Sequence, residues 1–170
     1  INMNVDVISI SIGVNQWHPG GSACPSTSLD IAINNAYDAD IPVIIASGNN
    51  GHSDGINYPA CSPKAIAVGA STKQDTMADF TNRYSSLLDV VAPGVAILSA
   101  RLDPDPGVPL ASDLAAGCSA PADKNQLVCK GTSQATPHVA GAVALLLGKK
   151  PAATVPEIEK ALKNSSKIEG

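Results

Sequence analysis

A chain of 170 residues and 17.2 kDa has the length of one domain, or most of one. Hydrophobic residues reach 44 % while charged residues stop at 15 %, a balance that excludes an intrinsically disordered chain. The net charge of −4 and the 3 % aromatic content exclude a binder that tracks phosphates with a basic stripe and stacks bases on aromatic rings. The longest apolar run, Val139 to Leu147, is about half the ~20 residues that a membrane span requires.

In chain order, Val5 to Ile12 is rich in β-branched residues with partial alternation, and Gly13 ends it as a strand. Asn15 to Pro25 reads as a loop. Ser26 or Ser28 is placed to cap a helix that runs to about Asp38, with Leu29, Ile33, Ala36 and Tyr37 on one buried face. Pro42 precedes a short buried strand, Val43 to Ala46. A strand, a helix and a second strand form a βαβ unit, which implies parallel neighbours and a right-handed crossover. Further strands are expected at Ala65–Ala70, Leu88–Ala92 and Val95–Ser99, with Pro93-Gly94 turning between the last two. From Arg101 to Lys130 the pattern is that of a loop. A helix follows over Thr132 to Leu147, apolar nearly all round and therefore expected to be buried, with Gly148 at its end. Thr154-x-x-Glu157 resembles a capping box opening a last helix through Leu162.

The four cysteines (24, 61, 118, 129) include no C-x-x-C spacing, so the usual zinc and redox patterns are absent. An even number in a chain of low charge reads as two disulfides and an oxidising compartment, with buried free thiols as the alternative; three pairings are possible. The chain opens on Ile1 with neither an initiator Met nor a signal-peptide pattern, and is expected to be a processed product or a fragment.

Ligands of an open α/β sheet sit at the carboxyl ends of its strands. Two such ends are legible, Ser11-Ile12-Gly13 and Ala46-Ser47-Gly48-Asn49, and as adjacent parallel strands they would flank a slot. Asn49 offers a neutral amide donor, suited to a developing oxyanion, although an Asn after Gly is more often a turn residue. Gly131-Thr132-Ser133-Gln134-Ala135-Thr136-Pro137-His138-Val139-Ala140-Gly141 puts Ser133 in the first turn of a helix, beside free N–H groups at the positive end of the dipole. Pro137 removes the N–H that would bond the Ser133 carbonyl. The plainer reading is that Thr132 or Ser133 only caps the helix.

Gly131–Gly141 resembles the nucleophile motif of the subtilisin-like serine proteases (subtilases), differing chiefly in Gln134, where many members carry Met. Val7–Gly13 resembles the family's substrate-binding strand, and Ala46–Gly51 its oxyanion-hole segment. Tyr58-Pro59-Ala60, Ala65–Ala70 and Leu88–Ser99 resemble three further family segments in the same order. The resemblance spans essentially the whole chain. It implies an α/β fold with a parallel sheet flanked by helices (a subtilisin-like three-layer fold), incomplete at the N-terminus, with residues 1–170 as the C-terminal part of a single catalytic domain. Carried over, Ser133 matches the nucleophile and Asn49 the side-chain oxyanion donor. Ser11, Ile12 and Gly13 match the strand that pairs with an extended polypeptide substrate; Ala46, Ser47 and Gly48 match a wall of the pocket for the residue preceding the scissile bond. The resemblance further implies a secreted endopeptidase without a required cofactor, structural calcium being common in the family, and cysteines that pair as Cys24–Cys61 and Cys118–Cys129.

The sequence also departs from the family. The triad Asp sits in an Asp-x-Gly turn and its His in a His-Gly-x-His helix start; no His-Gly-x-His occurs here, and the one Asp-x-Gly, Asp105-Pro106-Gly107, follows the oxyanion-hole segment, whereas the family's Asp comes first in the chain order Asp, His, Ser. His138 lies five residues after Ser133 on one helix, about 140° round and ~7.5 Å along the axis, which is the wrong place for a base. His18 and His52 lie in loops without the matching context. The expectation is an upstream segment that carries the Asp and His. The alternative is an inactive fragment or pseudo-protease that acts as a peptide-binding module through the Ser11–Gly13 edge. Neither nucleic acid nor membrane is an expected partner.

Overall fold

The computed structural model describes residues 5–14, 16–20, 24, 27–100, 117–119 and 126–165. Its centre is a four-stranded parallel sheet in the order β1 (Ile8–Ile10), β3 (Val43–Ala46), β5 (Ile66–Ser71), β6 (Val90–Pro93). Register runs Ile8 to Val43, Ile44 to Ile66 and Val68 to Val90. The period of two along a strand divides the core between two faces. Ile44, Ile66, Val68 and Val90 point to one side, against Ala135, Val139 and Val143 of α2 (Thr132–Lys149) and Ile158 and Leu162 of α3 (Val155–Ser165). Val43, Ile45 and Ala67 point to the other, against Ile33 and Ala36 of α1 (Ser28–Asp38) together with Ile56 and Tyr58. Both faces are covered, so β3 is buried at every position, as a parallel strand between two helical layers should be. The α/β class, the parallel sheet and the flanking helices are those the sequence predicts.

Several boundaries differ, each for a local reason. β1 is three residues long rather than eight, because its partner β3 has only four residues to offer. The loop expected over Asn15–Pro25 contains a strand, β2 (Trp17–Pro19), paired antiparallel with β4 (Gly55–Asn57); burial of His18 opposite Ile56 holds this ribbon. The cap of α1 is Thr27 rather than Ser26 or Ser28, and its hydroxyl is engaged by the Tyr58 hydroxyl instead of the helix. Pro93 closes β6, and the turn falls at Gly94–Ala96. The next strand, β7 (Ile97–Ala100), leaves the central sheet to pair with β9 (Gln126–Cys129), which also carries β8 (Cys118–Ser119). The segment expected as loop up to Lys130 therefore contains two strands; residues 101–116 and 120–125 of that expectation lie outside the described residues.

The long helix α2 continues through Gly148 to Lys149. Its burial is one-sided. Ala135, Val139 and Val143 face the sheet, whereas Leu145 is 74 % exposed, so among the described residues only one face of this apolar helix is covered. The expected capping box forms in half: the Glu157 carboxylate accepts the Thr154 N–H at 3.1 Å. At the other edge Asp89 accepts the Ala67 N–H at 2.8 Å and pairs with Lys163 at 2.7 Å, tying α3 to the sheet. That hydrogen bond holds the Lys163 pKa above its usual value.

Both expected disulfides are present, Cys24–Cys61 and Cys118–Cys129. They span 37 and 11 residues, which on the chain-entropy estimate gives about 4 and about 3 kcal/mol. Urea unfolding of Cys61→Ser is accordingly expected to lose more stability than Cys118→Ser, and equal losses would count against a loop-length origin.

Candidate active site

The slot expected between two strand ends exists. Ser11, Ile12 and Gly13 after β1, Ala46 at the end of β3 with Gly48, Asn49 and Asn50 after it, Asn57 at the end of β4, and Thr132 and Ser133 at the start of α2 line a cavity of about 340 Å³. Ser47 is the exception among the predicted residues. It is fully buried, its N–H donates to Val68 O at 3.0 Å and its carbonyl accepts the Asn57 N–H at 2.9 Å, so it holds the wall in place from behind.

Backbone accounting at the start of α2 explains how Ser133 is presented. A helix leaves its first N–H groups without partners inside the helix. Here Asn49 Oδ1 accepts the Thr132 N–H at 2.8 Å and the Thr132 hydroxyl at 3.0 Å. The Gln134 N–H turns back to Gly131 O at 3.1 Å. The Ser133 N–H meets no acceptor among the described residues and stays available to a ligand. Because Asn49 Oδ1 must face the Thr132 donors, its Nδ2 faces away from them, and it too meets no acceptor among the described residues. Two donors therefore stand beside the Ser133 hydroxyl at the positive end of a helix dipole, a set suited to stabilising an oxyanion.

Pro137 acts as the sequence suggests. Without its N–H, the Ser133 carbonyl accepts the Ser11 hydroxyl instead, at 2.9 Å. The Ser133 hydroxyl in turn donates to Ser11 O at 2.8 Å. This reciprocal pair clamps the strand end against the helix start. Gly131, at φ 153°, makes the entry possible: its N–H reaches Gly94 O at 2.8 Å, and a Cβ there would lie 2.8 Å from Gln134 Oε1.

The Ala46–Gly51 segment is held by a set of amides that sequence reading missed. Asn82, fully buried, accepts the N–H groups of Asn50 and His52 at 2.9 and 3.1 Å. Its Nδ2 donates to Asn57 Oδ1 at 3.0 Å and Asn50 Oδ1 at 3.3 Å. Gly48 sits against this cluster at φ 110°, where a Cβ would lie 2.4 Å from Asn82 Nδ2 and 2.7 Å from Asn57 Nδ2. Nothing in the unpatterned stretch around Asn82 distinguishes it from an ordinary turn residue.

Among the described residues no histidine is hydrogen-bonded to Ser133, whose hydroxyl donates to Ser11 O. His138 Nδ1 is bound to Gln134 O at 2.8 Å on the exposed side of α2, His52 stacks on Trp17 with ring centroids 4.9 Å apart, and His18 is buried in β2. Among the described residues no three His, Cys, Asp or Glu side chains are grouped to hold a metal. Calcium takes six to eight oxygens. Around Ala60 the Pro59 and Ser62 carbonyls each accept one N–H, from Ser62 and Ala65, and no acidic side chains are grouped there among the described residues. No helix among the described residues is long and apolar enough to cross a membrane.

The profile of the Subtilase family matches residues 1–169. The chain belongs to the subtilase family. Subtilisin BL of Lederbergia lenta is 40 % identical over 146 residues, covering 86 % of this chain and 46 % of that protein. An extracellular protease of Xanthomonas campestris pv. campestris is 34 % identical over 163 residues, 95 % of this chain and 24 % of that protein. Among solved structures, proteases from Pseudoalteromonas arctica give a TM-score of 0.74 at 30 % identity, covering 96 % of this chain and 44 % of that one. A cold-adapted subtilisin-like serine proteinase gives 0.69 at 28 %, covering 96 % and 49 %. This subtilase chain thus spans less than half the length of subtilisin BL, and its fold is the subtilisin-like α/β fold expected.

The arrangement also identifies a residue whose weight is testable by stability alone. Thr132 is fully buried, and its hydroxyl binds Asn49 Oδ1 and accepts the Gly48 N–H at 3.2 Å. Thr132→Val keeps the shape and removes both bonds, with an expected loss of about 1–2 kcal/mol in urea unfolding.

Proposed function

We propose that residues 1–170 are the C-terminal part of a single subtilase catalytic domain and supply the nucleophile, the oxyanion hole and one side of the cleft of a serine endopeptidase. The observation that carries this reading is the Asn49–Thr132–Ser133 constellation, with two donors left over beside a hydroxyl at a helix start. In this reading Ser133 Oγ attacks the scissile carbonyl of an extended polypeptide. The oxyanion that forms is received by the Ser133 N–H and Asn49 Nδ2. Ser11, Ile12 and Gly13 pair with the substrate backbone as an added strand, and Ala46 and Gly48, held from behind by Ser47, form the wall beside the residue preceding the scissile bond.

A serine hydroxyl needs a base to become a nucleophile. Since none of the three histidines is hydrogen-bonded to Ser133, we assign the base and its orienting carboxylate to a segment outside these residues that carries the family's Asp-x-Gly and His-Gly-x-His motifs. No organic cofactor is needed for such chemistry. The two disulfides and the extracellular relative support secretion. A second reading, a peptide-binding module without catalysis, is favoured by one observation: the Ser133 hydroxyl donates to the Ser11 carbonyl rather than to a base.

Fluorophosphonate labelling of Ser133 tests the assignment. Residues 1–170 alone are expected to label negligibly, and the same residues joined to that segment to label rapidly. For subtilisin, loss of the histidine alone costs ~2 × 10⁶ in turnover, so the contrast is large. Rapid labelling of the chain alone overturns the external base; no labelling of the joined protein leaves the binding reading standing.

A further inference from the structure

The cavity beside Ser133 has a chemistry of its own. Its lining includes the side-chain amides of Asn50 and Asn57, joined by Asn82, and their hydrogen bonds fix which way each one faces. The N–H groups of Asn50 and His52 are donors, so the Asn82 atom that meets them is oxygen, and its NH₂ group faces the other two amides. Both hydrogens of that NH₂ are used, on Asn57 Oδ1 and Asn50 Oδ1. Asn57 Nδ2 then spends one hydrogen on Asn50 Oδ1 at 3.2 Å, which fills both lone pairs of that oxygen. The unused capacity is therefore almost all donor: the second hydrogen of Asn57 Nδ2 and both hydrogens of Asn50 Nδ2. Asn57, 8 % exposed, and Asn50 both line the cavity, and among the described residues no charged side chain does.

An apolar side chain that enters such a pocket strips water from amide donors and gives nothing back. A Lys or Arg side chain brings only further donors. A carboxylate would find acceptable donors but no cation to offset its desolvation. We propose that Asn50 and Asn57 make this pocket selective for a residue whose side chain ends in a neutral carbonyl, glutamine above all, at the position preceding the scissile bond. The proposal rests on the protease reading only for the name of that position; the selectivity itself is a matter of binding.

The test uses three peptides alike except for a C-terminal Gln, Leu or Lys, with dissociation constants measured by calorimetry, and three longer peptides with the same residues placed internally for cleavage. The Gln peptide is expected to bind on the order of tenfold more tightly than Leu, with Lys weakest. Asn50→Asp is the decisive variant, because Asn50 is exposed and one carboxylate oxygen still accepts from Asn57 and Asn82 while the other replaces the free NH₂. It is expected to reverse the order of Gln and Lys. Equal or tighter binding of Leu, no binding of any peptide, or an unchanged order in Asn50→Asp overturns the proposal. Selective binding without cleavage, with the external segment present, overturns the protease reading and leaves the selectivity standing. Cleavage that favours Leu does the opposite.

Discussion

Asn49→Leu, in the protease complete with its base, is expected to lower kcat by ~10²–10³ with little change in KM; that magnitude is the one known for losing this kind of donor in subtilisin itself. The geometry says why the loss should fall on kcat. Asn49 uses its oxygen to hold Thr132, so in the proposed reading its nitrogen is positioned as a donor before a substrate arrives. A ground-state carbonyl gains little from it, and the oxyanion gains most. Asn49→Asp separates the two roles: the oxygen that accepts from Thr132 remains, while the donor becomes an acceptor. Its stability should stay near that of the parent while its activity falls at least as far as in Asn49→Leu. A variant that loses activity only by raising KM would remove Asn49 from the oxyanion role.

Asn82→Ala is the change expected to cost most in stability. Asn82 is fully buried and joins four groups from three residues: the N–H groups of Asn50 and His52 and the side-chain oxygens of Asn50 and Asn57. Truncation leaves two part-buried N–H donors without their acceptor, each costing up to about 1–3 kcal/mol, and opens a small void in place of a fully buried side chain. A total of about 3 kcal/mol or more is expected in urea unfolding, with faster hydrogen exchange at the Asn50 and His52 amides. Asn82→Asp, which keeps the acceptor for both N–H groups, should recover part of the loss. A cost below about 1 kcal/mol would mean that the loop is held by its backbone alone.

The central sheet was legible because its signals are local and redundant. Val43 to Ala46 is a continuous apolar run of strand length between a proline and a glycine-rich turn, and the lack of alternation there suits a strand covered on both faces. Ser133, Asn49 and the strand end at Ser11–Gly13 were legible from motifs and from where ligands bind in such sheets. β2 was not, because Trp17-His18-Pro19 carries a proline and two glycines follow; its pairing with Gly55–Asn57 is a tertiary event with no periodicity to announce it. β9 was hidden for the same reason, since its partner β7 lies some thirty residues earlier and across a segment without pattern. Asn82 was invisible because an amide in a turn looks the same whether it organises a site or faces water. The uniform apolarity of α2 pointed to full burial, yet Leu145 is exposed: composition reports what a face is made of and not what lies opposite it.

The reciprocal bond between Ser11 and Ser133 joins positions 122 residues apart in the chain. Contacts of that separation are slow to form, because loop closure must be met by order elsewhere before they gain anything. β1 has to lie on β3, and α2 has to be seated on the same sheet, before the two serines can meet. Closure of this pair is therefore expected late in folding. A reagent that reads the environment of Ser133 during refolding would time the last step of assembly, while circular dichroism would record the helices and strands that precede it.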